Sequence, residues 1–303
     1  MREDTPSLTA VYVAFARALA TRDQELSRAC SDPCAEQLLP RVLLPLLTRV
    51  QGSQAVRDAL RRLSLGMTDH IALRTGLIDA AVDHATGQPM GHSAEQAGAH
   101  GIEQVVLLGA GLDARAHRLP SLAHSVVFEV DHPATQQLKR NKAHTLPQSA
   151  REVRYVACDF QRTHLEQALL GSGFDRSARS LWIWEGVTMY LPAAAVVDSL
   201  STIAQLSAPD SVLVATYITP EMVVGGARLG HLSTLALGAI AEPIRFTRSA
   251  EDIAELLARA AFEVLSDALP VDAAPHFGVH VKRPTSLMPK ERIVVAIKRG
   301  NQI

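Results

Sequence analysis

Between residues 105 and 217 the chain repeats one rhythm, a short apolar run followed by a stretch with helical spacing. The runs are VVLLG (105–109), VVFEV (126–130), RYVAC (154–158), LWIW (181–184) and VLVATY (212–217). Patterns such as PATQQLKRNKAH and PAAAVVDSLSTIAQL lie between them. A strand with one face in solvent alternates apolar and polar residues; these runs do not, so both of their faces are covered. Continuous apolar strands separated by helices specify an α/β fold, a mostly parallel sheet between helical layers. A helix at about 249–261 and two further strands, FEVLSDAL and RIVVAIK, follow. No helix separates those two strands, so they are expected to pair as an antiparallel edge.

The first hundred residues read as helices. Val11, Ala14, Phe15, Ala18 and Leu19 form one apolar stripe. Asp32-Pro33 signals a helix start, and Pro40 and Pro45 are expected to break the leucine-rich stretch that follows. Another helix is expected from near Asp69 to about Asp83, burying Ile71, Ile78 and Val82. The segment 86–101 is rich in glycine and small polar residues and reads as a loop. The expected organisation is an N-terminal helical cap over 1–100 and a core over 101–303. An apolar stretch at about 220–246 interrupts the core; its Gly225, Gly226, Gly230 and Gly238 suit a mobile lid.

Charge removes several function classes. With 30 basic and 31 acidic residues the formal net charge is −1, too little for a nucleic-acid or anionic-membrane surface. The opening MREDTPS lacks the apolar run of a signal peptide, and no stretch is long enough to span a bilayer. Cys30, Cys34 and Cys158 make no disulfide framework or zinc pattern, so they are expected to be reduced thiols in a cytoplasmic protein without a metal. The sequence sets no oligomeric state.

The candidate chemistry gathers where the strands end. Gly109 and Gly111 close the first run, where glycine lets a ligand approach the backbone and a helix N-terminus follows. Residues 109–114 also satisfy the GxGxxA form of a dinucleotide fingerprint. Asp113 disfavours that reading, since a carboxylate there would repel a pyrophosphate and tolerate a cationic sulfonium; it could equally cap the helix. Glu129 and Asp131 share a strand face near the end of the second run, where an acid can accept both ribose hydroxyls. One of them is expected to hold ribose, the other to be a helix-terminus charge. Asp159, with the N–H of Phe160, could meet an adenine or cap a helix. Glu185 follows the fourth run, at the edge where such folds bind ligands, and could hold an ammonium group or act as a base. Arg74 lies on the buried stripe of its helix, so its guanidinium needs an anionic partner, either a ligand carboxylate or an internal acid.

The strings LLGAGLDARAHRL, VFEVDHP and WEGVTMYLP, with Asp32-Pro33 and ALRTGLID, resemble the leucine carboxyl methyltransferase family. They are most similar to its bacterial branch of S-adenosylmethionine-dependent O-methyltransferases, including polyketide-tailoring members. The resemblance runs from about residue 8 to the ERIVVAIKR strand and weakens between Thr219 and Pro243. It implies a class I methyltransferase core, Rossmann-like and seven-stranded, with S-adenosyl-L-methionine as cofactor. Carried over by position, Arg74 would clamp the methionine carboxylate, Gly109 would line the methionine pocket and Glu185 would face the amino end. Asp131 would hold ribose, and Asp159 with Phe160 adenine. The expected partner is a small-molecule acceptor offering a carboxylate or a hydroxyl, in secondary metabolism. A carboxylate is already a nucleophile, whereas a hydroxyl needs a base within reach. Tyr190, Tyr217 and His276, with His70 and His280 behind them, are the candidates to orient or deprotonate it. The competing readings are an NAD(P)-dependent dehydrogenase and a catalytically silent module that keeps the cofactor fold.

Overall fold

The computed structural model describes residues 7–87, 101–160, 164–221, 243–282 and 289–300. Its centre is a seven-stranded sheet in the order β3-β2-β1-β4-β5-β7-β6. The strands are β1 (Gln104–Leu108), β2 (Val126–Asp131), β3 (Glu152–Ala157), β4 (Ser180–Trp184), β5 (Val212–Ile218), β6 (Phe262–Ala268) and β7 (Glu291–Lys298). β1 to β5 are parallel, and β7 runs antiparallel to both β5 and β6. The antiparallel pair forms as the pattern predicts, but the last strand is not at the edge. β7 inserts between β5 and β6, and β6 takes the outer position.

Strand parity assigns the two faces. Val106, Leu108, Phe128, Trp182 and Trp184 point to one side. There they meet α8 (Leu165–Gly171), α9 (Ala193–Leu206) and α10 (Ala250–Arg259) through Leu169, Ile203 and Leu257. Their odd-numbered neighbours Val105, Leu107, Val127, Leu181 and Ile183 point to the other side. That face receives Ile78 and Val82 of α5 (Met67–Ala85) and Ala116 of α6 (Arg115–Arg118). Burying each such large apolar side chain contributes roughly 1.5–3 kcal/mol, so a polar substitution in β1 or β4 would cost more than any surface change.

Before α5 come α1 (Leu8–Thr21), α2 (Ala35–Leu38), α3 (Leu44–Gln51) and α4 (Gln54–Leu63). Ala14 and Ala18 of α1 pack with Leu38, Leu39 and Leu47 against Leu112 and Ala114, which follow the glycine loop. The small alanines let α1 approach that loop closely. Asp32 starts α2 by accepting the N–H groups of Cys34 and Ala35, at 3.1 and 2.9 Å. Pro40 separates α2 from the next turn, whereas Pro45 does not break the chain as expected. It sits in the first turn of α3, where its missing N–H has no partner to lose. The lid expected around 220–246 falls largely on residues 222–242, which lie outside the described residues, as does most of the 86–101 loop. Among the described residues no helix is long and apolar enough to cross a membrane. Cys30, Cys34 and Cys158 are buried free thiols, and burial pushes Cys30 up to about 12.

Candidate active site

The carboxyl ends of β1, β2 and β4 converge on a cavity of about 380 Å³, roofed by Thr9, Ala10, Val13 and Arg17 of α1. Its floor is the glycine loop. The amides of Gly109 and Ala110 both donate to Val130 O, at 2.8 and 3.0 Å, which ties the end of β1 to the end of β2. Gly109 and Gly111 have φ of +68° and +51°. A Cβ on Gly109 would lie 2.4 Å from Val187 Cγ2, so neither conformation nor space admits another residue.

At one end of the cavity stands a chain of buried charges. Arg74 on α5 donates Nε to Glu185 Oε1 at 2.9 Å, and Nη1 to both carboxylate oxygens of Glu291 at 3.1 and 2.9 Å. Glu185 receives Arg115 on its other oxygen at 2.6 Å, and Arg115 also meets Asp113 and Asp79. Burial opposes the charge on Glu185, but Arg115 and Arg74 overcome it and hold its carboxyl below the usual range. Asp113 is held low in the same way, burial being outweighed by Arg115. Its carboxylate accepts the Arg115 N–H at 2.7 Å, so Asp113 stabilises the first turn of α6 and also lines the cavity. Arg74 therefore has the internal acidic partners that its buried position demands. Two of its nitrogens are engaged, while Nη2 makes no hydrogen bond among the described residues and Arg74 still lines the cavity.

The opposite end is built differently. Asp131 closes β2, and its carboxylate accepts the amides of Gly111 at 2.6 Å and His132 at 2.7 Å. Burial, partly offset by those two amides, pushes its carboxyl up to about 6. Asp159 and Phe160 follow β3, the strand beside β2, and line the cavity with Asp131, as do Tyr190 and Leu191 after β4. The structure thus brings Arg74, Gly109, Gly111, Asp131, Asp159, Phe160, Glu185 and Tyr190 around one cavity.

Other candidates lie elsewhere. Glu129 does not line the cavity. It shares a strand face with Asp131 but sits one pleat deeper, opposite Leu107 and fully buried, where Lys139 of α7 (Pro133–Ala143) meets it at 2.5 Å. Sharing a face says nothing about depth, and only the strand tip reaches the cavity. Tyr217 donates to Asp267 at 2.6 Å and so faces β6. His276 is exposed against Phe277, away from the cavity. His70 is buried against Glu291 at 2.7 Å, and His280 is exposed near Glu25. Tyr190 alone of the acceptor-side candidates reaches the cavity wall.

Sequence reasoning missed Arg17, Arg115 and Glu291. Arg17 donates to Asp32 at 3.0 Å and to Leu112 O at 2.6 Å, joining α1, the start of α2 and the glycine loop. A signal was present, since Arg17 stands three residues from Ala14 on a buried helix face, as Arg74 does from Ile71. Among the described residues no cluster of His, Cys, Asp and Glu is arranged to hold a metal ion.

A model of the leucine carboxyl methyltransferase family matches residues 10–204. A protein of Mycobacterium sp. (strain JLS), named as an S-adenosyl-L-methionine-dependent methyltransferase, is 37% identical over 227 residues, covering 74% of this chain and 69% of its own. One of Mycolicibacterium smegmatis with the same designation is 36% identical over 229 residues, covering 74% and 72%. Among solved structures, a protein of Thermobifida fusca YX designated a methyltransferase aligns with a TM-score of 0.59 at 15% identity, over 99% of this chain and 97% of its own. A Streptomyces avermitilis protein aligns at 0.57 and 16% identity, over 81% and 90%. These two alignments bear on the fold, the sheet and its flanking helices.

Proposed function

The chain belongs to the leucine carboxyl methyltransferase family, and on that premise we propose that it methylates an oxygen of a small molecule, a carboxylate rather than a hydroxyl. It is an S-adenosyl-L-methionine-dependent methyltransferase. When bound, S-adenosyl-L-methionine supplies an electrophilic methyl on a sulfonium, open to in-line attack. The cavity fits that cofactor on its own geometry. An open guanidinium nitrogen of Arg74 at one end suits a carboxylate, and an acid held by two amides at the other suits a ribose diol. Asp159 and Phe160 are then positioned for adenine, and Gly109 leaves room for the chain between. The helices before residue 101 act as cap and residues 101–303 as the cofactor-binding core.

The preference for a carboxylate rests on the acids of the cavity. Asp113 and Glu185 are committed to arginines and held low, which makes them poor bases; Asp131 and Asp159 belong to the ribose and adenine end, and His132 beside them caps α7 by accepting the Ala134 N–H on Nδ1. A hydroxyl acceptor needs a base, whereas a carboxylate needs only to be held at near-attack distance in a dry site. Tyr190, which lines the cavity after β4, is the residue we propose to orient the acceptor. A pathway of secondary metabolism suits a small acceptor of this kind.

The observation that carries the reading is the pairing of Arg74 and Asp131 at opposite ends of one cavity. Mass spectrometry of a metabolite pool incubated with deuteromethyl-labelled S-adenosyl-L-methionine tests it. The expected product is a labelled methyl ester that mild base hydrolyses; a label that resists hydrolysis, on a hydroxyl or a nitrogen, overturns the carboxylate assignment. The dehydrogenase reading is tested in parallel by calorimetry with NAD, which is expected to show no heat.

A further inference from the structure

We infer that Glu291, at the start of the last strand, is a positioning residue for the cofactor's carboxylate, acting through Arg74. The inference rests on the cofactor reading of the cavity given above. Glu291 lies beyond the matched residues 10–204, on the inserted antiparallel strand, and is set back from the cavity wall. Its backbone is fixed in register with Ile218 on β5, so its side chain issues from the sheet at a set point. From there it grips Arg74 Nη1 with both oxygens and receives His70 Nε2 at 2.7 Å. His70 and Arg74 stand four apart on α5, one turn of the helix, so a single carboxylate holds two adjacent side chains of that helix against the sheet.

The consequence is geometric. A guanidinium is a planar fork, so fixing Nε on Glu185 and Nη1 on Glu291 leaves no freedom about the last torsion. Nη2 is thereby aimed without a ligand present, and the cofactor carboxylate meets a donor whose side-chain entropy is already spent. With Glu291 neutralised, the buried Arg74 would close more fully on Glu185, turning Nη2 away. A competing effect has the opposite sign: removing a nearby negative charge by itself favours an incoming carboxylate. The measurement therefore separates a support from a competitor.

The test compares two probes, S-adenosylhomocysteine and 5′-methylthioadenosine, which share the nucleoside thioether and differ in the amino-acid carboxylate. In Glu291→Gln, titration calorimetry should show about tenfold weaker S-adenosylhomocysteine binding, ~1.4 kcal/mol. Methylthioadenosine affinity should be unchanged. In an Arg74→Ala background the same substitution should have no further effect on S-adenosylhomocysteine. Glu291→Asp, which keeps the charge but shortens the reach, should also weaken S-adenosylhomocysteine alone, and it decides the matter if the glutamine variant does not fold. Unchanged or tighter S-adenosylhomocysteine binding, or equal loss for both probes, overturns the positioning role. Failure of the wild-type protein to bind S-adenosylhomocysteine overturns the cofactor reading instead.

Discussion

At one end of the cavity the Arg74 guanidinium is answered by Glu185 and Glu291, while at the other the Asp131 carboxylate is held by two backbone amides and no ion pair among the described residues. The first end has its charges balanced within the protein. The second carries an acid whose burial has raised it to about 6, so it is ionised at neutrality and takes up a proton in mild acid. A network balanced within the protein fixes geometry, whereas an acid without an ionic partner marks a place where a ligand has donors to supply. The ends should therefore fail in different ways when altered.

The largest effect is expected at the balanced end. Arg74→Ala leaves Glu185 and Glu291 buried without their shared cation, and breaking such a pair typically costs about 3–5 kcal/mol, a large share of a native protein's marginal stability. Urea denaturation should show that loss, and calorimetry on any folded fraction about a hundredfold weaker S-adenosylhomocysteine binding. A stable variant with undiminished affinity would erase the contrast between the ends.

Asp131→Asn should separate function from stability. Affinity is expected to fall at least about tenfold through loss of a charge-assisted bond to ribose. The sign for stability is the reverse of the Arg74 case. An acid whose folded pKa lies above its unfolded value opposes folding once the pH exceeds its unfolded value, so removing the charge should leave the urea midpoint equal or higher at pH 7.5. A lower midpoint would show that Asp131 serves the fold as well.

A milder probe is pH. Cofactor affinity should decline as pH falls through about 6 and Asp131 takes up a proton, by about tenfold one unit below that value. Glu185 stays ionised throughout that window because Arg115 and Arg74 hold it low. The decline should vanish in Asp131→Asn; if it persists, another group governs it.

The smallest effects are expected outside both ends. Tyr217→Phe removes the bond to Asp267 and should cost about 1 kcal/mol of stability without changing affinity. His276→Ala, at an exposed ring, should change neither. A loss of affinity in either would mean that the site reaches further than the cavity described.

The two ends also differ in how well the sequence showed them. The parallel sheet was legible because burial on both faces writes continuous apolar runs, and the positions at or just past the ends of those runs identified Gly109, Asp131, Asp159 and Glu185. Arg74 stood out as a cation on a buried helical stripe. What answers Arg74 did not stand out. Glu291 is 217 residues away in the chain, and no local pattern encodes which acid meets which arginine. Glu129 shows the converse failure. Periodicity placed it on the correct face, yet its depth below the strand tip gave it to Lys139. The insertion of β7 between β5 and β6 is likewise a tertiary choice, since an antiparallel pair can join a sheet by either member.

The most direct test of the whole account is a crystal structure of the complex with S-adenosylhomocysteine. It should show the amino-acid carboxylate on Arg74 Nη2, both ribose hydroxyls on Asp131, and the Arg74 bonds to Glu185 and Glu291 intact. A ligand bound in the reverse direction, or an Arg74 released from both acids, would contradict it.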